Sequence, residues 1–302
     1  MQQPAVSVVI ATRDRPVLLR RAVGSVLNQR GVSPIEIIVV VDGPAQESLV
    51  DVEPGPHDLQ CVRNTGKPGL AGARNEGIMR ASADLVAFCD DDDEWLPGKL
   101  AAQIESLKDP SVVLGATAIE IRSEGGSHVR TAPAEVGLAD LLKDRITELH
   151  PSSFLIRRSA LMGELGLVDE EIPASYGEDY DLLLRAAKVG RIVALPQPLT
   201  VVHWDRASYF TQKWRGIADG LSYLLDKHPE FGSSRSGSAR IEGQIAFAHG
   251  AVGDKAHARS WASKAIGHDP LQPRAYLALM VGLGLVSANW VVNTLNRHGR
   301  GV

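Results

Sequence analysis

Asp90-Asp91-Asp92-Asp93 follow directly on an apolar run, Leu85-Val86-Ala87-Phe88-Cys89. Like charges at contact distance repel, so such a run is either a solvated loop or a site. At the carboxyl end of a buried strand, where open α/β sheets place their ligand crevice, the site reading prevails. Carboxylate oxygens suit Mg²⁺ or Mn²⁺, and a cation held there would in turn hold a diphosphate. A second acidic pair, Glu178-Asp179, follows Tyr176-Gly177 and opens a helical pattern over residues 179–189. The helix dipole keeps a carboxylate ionised at that position, as a general base must be, while plain helix capping is the alternative. His203 ends an apolar strand and is a third candidate, for a metal or diphosphate, although a lone histidine is more often structural.

Alternating strand and helix signals place these groups. Residues 6–11, 35–41, 59–63 and 85–89 read as strands, with helices expected after the first and third. Asp14 is expected to cap the first helix and Pro16 to occupy its first turn. Leu18, Leu19, Ala22, Val23, Val26 and Leu27 form its apolar stripe. Residues 112–121 read as a strand, 124–127 as a turn and 138–143 as a short helix. On helix 179–189, Tyr180, Leu183, Leu184 and Ala187 share one face, with an Asp181/Arg185 pair on the surface. Two short strands, 192–195 and 199–203, follow. This is an α/β domain with a mainly parallel sheet.

Residues 232–238 (Gly-Ser-Ser-Arg-Ser-Gly-Ser) read as a linker, and everything beyond them as helix. The expected division is a catalytic domain over 1–231 and a helical extension over 232–302. In that extension Ala248, Gly250, Gly253-Asp254, Ala258, Ala262, Ala265-Ile266, Asp269-Pro270 and Ala275-Tyr276 resemble one tetratricopeptide repeat and the start of another. About three repeats are needed to bury a core, so this segment must lean on the catalytic domain, a second subunit or a membrane surface. Residues 275–296 carry no charge and approach the length of a bilayer span, but Gly282, Gly284, Ser287, Asn289 and Asn293 interrupt them; a buried or membrane-surface helix pair is expected instead.

Composition narrows the class. With 44% hydrophobic and 23% charged residues the 302-residue chain is globular. A net charge of -4 argues against nucleic acid as a partner. Two cysteines, Cys61 and Cys89, exclude a disulfide framework or a cysteine-rich metal site. The first residues lack the pattern of a signal peptide, so a cytoplasmic protein is expected, with possible peripheral contact at the inner membrane face.

Five segments in order resemble a family 2 glycosyltransferase of the GT-A fold, over roughly residues 5–208. They are Val8-Val9-Ile10-Ala11-Thr12-Arg13-Asp14-Arg15, Val39-Val40-Val41-Asp42-Gly43, Gly69-Leu70-Ala71-Gly72-Ala73-Arg74-Asn75-Glu76-Gly77, residues 88–100 with the aspartate run, and Gly177-Glu178-Asp179-Tyr180-Asp181-Leu182. The resemblance implies an inverting transfer of a sugar from a nucleotide-diphospho-sugar, by default a UDP-sugar, to an acceptor hydroxyl, with Mn²⁺ or Mg²⁺. Family spacing makes Asp90 and Asp92 the principal pair, Asp92 on the metal and Asp90 on the metal or ribose, with Asp91 beside them at the donor. It makes Asp179 the base and Glu178 its orienting neighbour, and it puts His203 where many members complete the metal or diphosphate site. Residue chemistry adds Thr12, Arg13, Asp42 and Arg74 as donor-binding groups, because a nucleotide needs hydrogen-bonding side chains and cations. The plain alternative for Arg74 is a surface ion pair with Glu76 or Asp42. Gly69 and Gly72 allow close backbone approach. Val41 departs from the family, which usually has a second acidic residue there, leaving Asp42 alone to meet the base.

Trp95, Leu96 and Lys99 are expected to pack the following helix, Trp204, Tyr209 and Trp214 to form an aromatic cluster, and Cys89 to be a buried, inert thiol. Gln212-Lys213-Trp214-Arg215 does not fit the Q-x-x-R-W motif of the family's processive members, so single addition is expected. Two rivals fare worse. A sugar-1-phosphate nucleotidyltransferase needs G-x-G-T-R near the first strand, and Ala11-Thr12-Arg13-Asp14-Arg15 lacks those glycines. A non-catalytic interaction protein has little use for both Asp179 and the aspartate run. The acceptor, whether glycan, lipid-linked glycan or small molecule, and the oligomeric state are not encoded in any motif.

Overall fold

The computed structural model describes residues 3–43, 52–204, 214–288, 290, 291 and 294. The chain forms two compact units, one of residues 1–138, 146–170 and 178–206, the other of 139–145, 171–177 and 207–302.

The first unit is built on a ten-stranded mixed sheet. Its parallel half comprises β1 (Val6–Thr12), β2 (Ile35–Val41), β3 (Asp58–Arg63) and β4 (Leu85–Phe88), in the order β3-β2-β1-β4. β2 is buried along its whole length, and this explains its β-branched sequence, interrupted only by Glu36, whose buried carboxylate accepts from Ser7 Oγ and the Ser82 N–H. α1 (Pro16–Leu27) follows β1 and buries Leu18, Leu19, Ala22, Val23 and Val26 as its stripe requires. Asp14 does not cap it. Arg15 holds the cap position without a side-chain bond, and Asp14 has φ +56°, a left-handed turn between strand end and helix that aspartate tolerates.

α2 (Leu70–Arg80) precedes β4 and packs closely on β1. A Cβ on Gly77 would lie 2.3 Å from Cγ1 of Val9, so only glycine lets helix and strand meet there. After β4 come β5 (Glu94–Trp95), α3 (Lys99–Ser106), β6 (Val112–Ser123), β7 (Gly126–Arg130), β8 (Glu135–Val136) and α4 (Leu138–Lys143). β9 (Leu155–Arg157) runs antiparallel between β4 and β6, followed by α5 (Arg158–Leu161), α6 (Glu178–Val189) and β10 (Arg191–His203). The two strands expected over 192–203 are one: the register against β6 shifts around Pro198 but pairing resumes, so the prolines make bulges and not a break. Asp181 and Arg185 pair at 2.8 Å, yet Asp181 is fully buried, so this is an interior link and not a surface one.

The second unit is helical: α7 (Trp214–Lys227), α8 (Arg235–Ala251), α9 (Lys255–His268) and α10 (Pro273–Gly282), with most of α4. Ala239, Ala246, Phe247, Ala262, Ala265, Ala275 and Ala278 make its core. The expected linker is a 3-10 turn, Pro229–Ser233, running into α8. Its small residues serve packing: a Cβ on Gly237 would fall 1.8 Å from the Leu142 carbonyl oxygen. Among the described residues no helix is long and apolar enough to cross a membrane.

Lys99 shows how the acid-rich strand end is fixed from below. Its ammonium is fully buried, donates to Gln103 Oε1 at 2.7 Å and lies 3.9 Å from the Trp95 ring centre. Gln103 in turn donates to the carbonyls of Gly115 and Ser153. Burial pulls Lys99 down from 10.5 to about 7. With the folded value below the unfolded one, the unfolded chain binds more protons between pH 7 and 10.5, and stability rises across that window. Comparing urea unfolding of wild type and Lys99→Met from pH 7 to 10, the wild type should gain about 3 kcal/mol relative to the variant. Equal slopes would show that Lys99 does not carry this dependence.

Candidate active site

Because β1, β2 and β4 are parallel, their carboxyl ends bring Thr12, Asp42 and the Asp90–Asp93 run to one edge of the sheet. The close α2–β1 packing carries Arg74 to the same edge. Its guanidinium is buried and makes two charge-assisted bonds, Nη2 to Asp90 Oδ1 and Nη1 to Glu178 Oε1, both 2.7 Å. It also lies over the Phe88 ring, 5.4 Å from its centre. Neither Glu76 nor Asp42 is its partner: Glu76 accepts from Thr65 and Arg80, and Asp42 from Asn64 and the Gly69 backbone. Arg74 therefore joins the aspartate run to the amino end of α6, whose Glu178 lies 104 residues beyond Arg74 in sequence. The charge of Asp179 reaches it too.

The four aspartates have four different environments. Asp90 is tied to Arg74, and its backbone N–H donates to Ser152 Oγ. Asp91 is buried, accepting from Thr12 Oγ1 at 2.7 Å and from Arg15 at 3.0 Å; burial raises it to about 6 despite both bonds. Asp92 is the most exposed, at 37% of its side chain, with Arg15 Nη1 3.1 Å from Oδ2. Asp93 accepts from Ser152 Oγ at 2.5 Å, and burial, reinforced by the Asp90 charge, pushes it well above the ordinary carboxylate range. Asp91 thus fixes Thr12 and Arg15 at the strand end.

Ligand atoms of Asp90, Asp93 and His150 lie within 4.8 Å of one another. This donor set of two carboxylates and an imidazole fits Mn²⁺ or Mg²⁺, with Asp92 adjacent and open to solvent. Burial holds the His150 imidazole below its usual range, which keeps its lone pair available. His203 stands beside the run: its Nε2 is 2.6 Å from Glu94 Oε1, and its backbone hydrogen-bonds Asp93. Asp90, Asp92 and His203 thus share the edge, and His150 and Asp93 join Asp90 there as further candidate ligands. Nothing but the buried turn Pro151–Ser153 and its apolar continuation, Phe154-Leu155-Ile156, marked this segment in the sequence.

At the neighbouring strand ends, Arg13 is exposed and 3.9 Å from Asp42. Asp42 accepts two bonds from the Gly69 N–H at 3.0–3.1 Å, anchoring the glycine turn. Gly69 has φ +125°, and a Cβ on Gly72 would lie 1.9 Å from the Lys67 carbonyl oxygen, so both glycines are required as expected. Trp95 is buried and donates from Nε1 to the Ser152 carbonyl. Trp204 carries Arg130 on its ring and Trp214 meets Phe247 edge-on; Tyr209 lies outside the described residues, as do Gln212 and Lys213. The Cys89 thiol is buried and pushed well up by burial, consistent with an inert group.

Truncating Arg74 strands a buried carboxylate. Arg74→Ala should cost about 3–5 kcal/mol in urea unfolding, and adding Glu178→Gln should recover part of it. Strict additivity of the two changes would show that the bridge carries no coupling.

Residues 7–163 match the family described as Glycosyl transferase family 2. A pre-mycofactocin glycosyltransferase of Mycobacterium tuberculosis (strain ATCC 25618 / H37Rv) is 32% identical over 208 residues, covering 66% of this chain and 42% of its own. The chain thus spans less than half the length of that relative. The uncharacterized glycosyltransferase YwdF of Bacillus subtilis (strain 168) is 32% identical over 197 residues, 63% of this chain and 71% of its own. Among solved structures, the mannosyltransferase PcManGT from Pyrobaculum calidifontis, in complex with GDP-Man and Mn2+, aligns with TM-score 0.57 at 18% identity, covering 94% of this chain and 81% of that one. S. aureus TarS 1-349 in complex with UDP-GlcNAc aligns with TM-score 0.57 at 15% identity, covering 98% and 92%. The fold is that of these proteins, GT-A, and the family match covers more than half of the sequence: the chain belongs to glycosyl transferase family 2.

Proposed function

We propose that this protein is a nucleotide-sugar-dependent glycosyltransferase that transfers one sugar with inversion to an acceptor hydroxyl. One observation carries the reading: the buried Arg74 bridge holds the Glu178-Asp179 start of α6 beside the Asp90–Asp93 edge. Base and donor carboxylates then flank one reaction centre. Asp179 takes the proton of the acceptor hydroxyl as its oxygen attacks the anomeric carbon, and the bond from that carbon to the nucleoside diphosphate breaks in the same displacement. Glu178, held by Arg74, fixes the first turn of the helix that presents Asp179.

Exposed Arg13 beside Asp42, with Thr12 at the adjacent strand end, forms the nucleoside end of the site. When bound, Mn²⁺ or Mg²⁺ would supply neutralising charge to the leaving diphosphate; Asp90 and Asp92 would hold it, with Asp93, His150 or His203 completing the set. The two structural relatives hold GDP-Man with Mn2+ and UDP-GlcNAc, which supports a nucleotide-diphospho-sugar donor; UDP-sugar is our choice. The domain boundary near residue 231, the cytoplasmic setting and a helical extension that pairs subunits or touches a membrane surface belong to the same proposal.

Thermal stabilisation and metal-dependent hydrolysis across a panel of nucleotide-sugars test the donor class directly. Asp92→Ala should abolish transfer and remove the metal-dependent part of diphosphate affinity while the fold persists. Full activity in excess chelator would overturn the metal assignment.

Base and donor roles should also separate. Asp179→Asn should lower turnover by about 10²–10⁴-fold with donor affinity near wild type. A collapse of donor affinity with turnover preserved would make Asp179 a donor ligand instead.

A further inference from the structure

Within the helical unit, the turn between α8 and α9 gathers two imidazoles and a carboxylate. His249 lies in the last turn of α8, Asp254 caps α9, and His257 is in the first turn of α9. The spacing is His-x4-Asp-x2-His. His257 Nδ1 is 2.8 Å and His249 Nδ1 3.5 Å from the same oxygen, Asp254 Oδ2. One ligand atom from each residue lies within 4.8 Å of the other two.

The backbone between them is fixed. The Asp254 N–H donates to the His249 carbonyl at 2.9 Å and the Gly253 N–H to that of Gly250 at 3.0 Å, with Gly253 at φ +81°. Asp254 Oδ1 accepts from the His257 backbone N–H at 3.1 Å, which orients the carboxylate and leaves Oδ2 to face both rings. The rings stand near-parallel, 5.1 Å between centres. The negative charge of Asp219 on α7 also acts on His249.

We propose that His249, Asp254 and His257 form a transition-metal site of the Zn²⁺ class, which staples α8 to α9. Zinc bonds of about 2.0–2.2 Å put tetrahedral ligands roughly 3.4 Å apart. The separations of 2.8 and 3.5 Å from Asp254 Oδ2 bracket that value, so small side-chain rotations suffice. Two imidazoles with one carboxylate favour Zn²⁺, Co²⁺ or Ni²⁺ over Mg²⁺ or Ca²⁺, which prefer all-oxygen shells. The exposed side of His257 leaves a fourth position for water.

The test titrates the full chain with Zn²⁺ by calorimetry, and with Co²⁺ by visible absorption. An Asp90→Asn background and excess Mg²⁺ suppress binding at the aspartate edge. About one ion per chain should bind, with raised thermal stability, and His257→Ala should weaken binding by roughly 100-fold or more. His257 is largely exposed, so its replacement leaves the fold intact, and His249→Asn serves as the second variant. The proposal is overturned if no ion binds in that background, or if binding is unchanged in both histidine variants, in which case the cluster is an ordinary imidazole–carboxylate helix cap.

Discussion

A single guanidinium holds the carboxylate-rich edge together. Arg74 is desolvated on all sides, and its charge is tolerated because Asp90 and Glu178 each accept a bond from it at 2.7 Å. A planar fork can serve two carboxylates that come from different elements; a lysine ammonium, with its point charge, matches such a bridge less well. The position of that fork is a packing matter. Gly72 and Gly77 let α2 lie against the turn and against β1, and any side chain there would displace the helix that carries Arg74. Backbone sterics thus set the location of the charge, and the charge sets the relation between β4 and α6.

The aspartate run is tolerated because each carboxylate is given a separate environment. Arg74, the Thr12–Arg15 pair and Ser152 take Asp90, Asp91 and Asp93 in turn, leaving Asp92 as the most solvent-exposed of the four. Asp91 and Asp92 share Arg15 Nη1, and ligand atoms of Asp90 and Asp93 come within 4.8 Å, so neighbouring cations and hydroxyls offset charges that do meet. The cost remains visible in the raised values of Asp91 and Asp93, where burial outweighs the hydrogen bonds that favour ionisation.

Most of the parallel half of the sheet was legible because β1, β2 and β4 are short apolar runs, and α1 and α6 carry periodic stripes. The edge residues were legible for the same reason: Thr12, Asp42 and Asp90 each follow such a run. In the other half β6 and both ends of β10 were read as strands, but the short strands were not. β5, β8 and β9 are two or three residues long, and no periodicity can form over that length. Arg74 was visible as a candidate, but its partners were misassigned, because Asp90 and Glu178 are brought to it by the sheet and not by sequence proximity. His150 and Ser152 were missed for a similar reason: a turn of three buried residues has no pattern of its own. The Gly-Ser segment at 232–238 shows the converse error, in which small residues chosen for close contact look like residues chosen for flexibility.

Charge balance at the edge bears on the order of events in the proposed reaction. Asp90, Asp91, Asp92, Asp93, Glu94, Glu178 and Asp179 face the cations Arg15, Arg21 and Arg74, and those arginines are already bonded to carboxylates or to the Asp92 carbonyl. A nucleoside diphosphate approaching this edge alone meets an excess of negative charge at short range. Arg13, exposed at the end of β1, is set apart from that cluster beside Asp42. The nucleoside end is therefore the favourable point of entry, and the diphosphate can settle against Asp90 and Asp92 only as positive charge arrives with it. The negative charge of Asp179 acts on Arg74 across the same edge. Arg74 thereby has two effects that cannot be separated by position: it holds α6 in place, and it sets a fixed positive charge beside the Glu178-Asp179 pair.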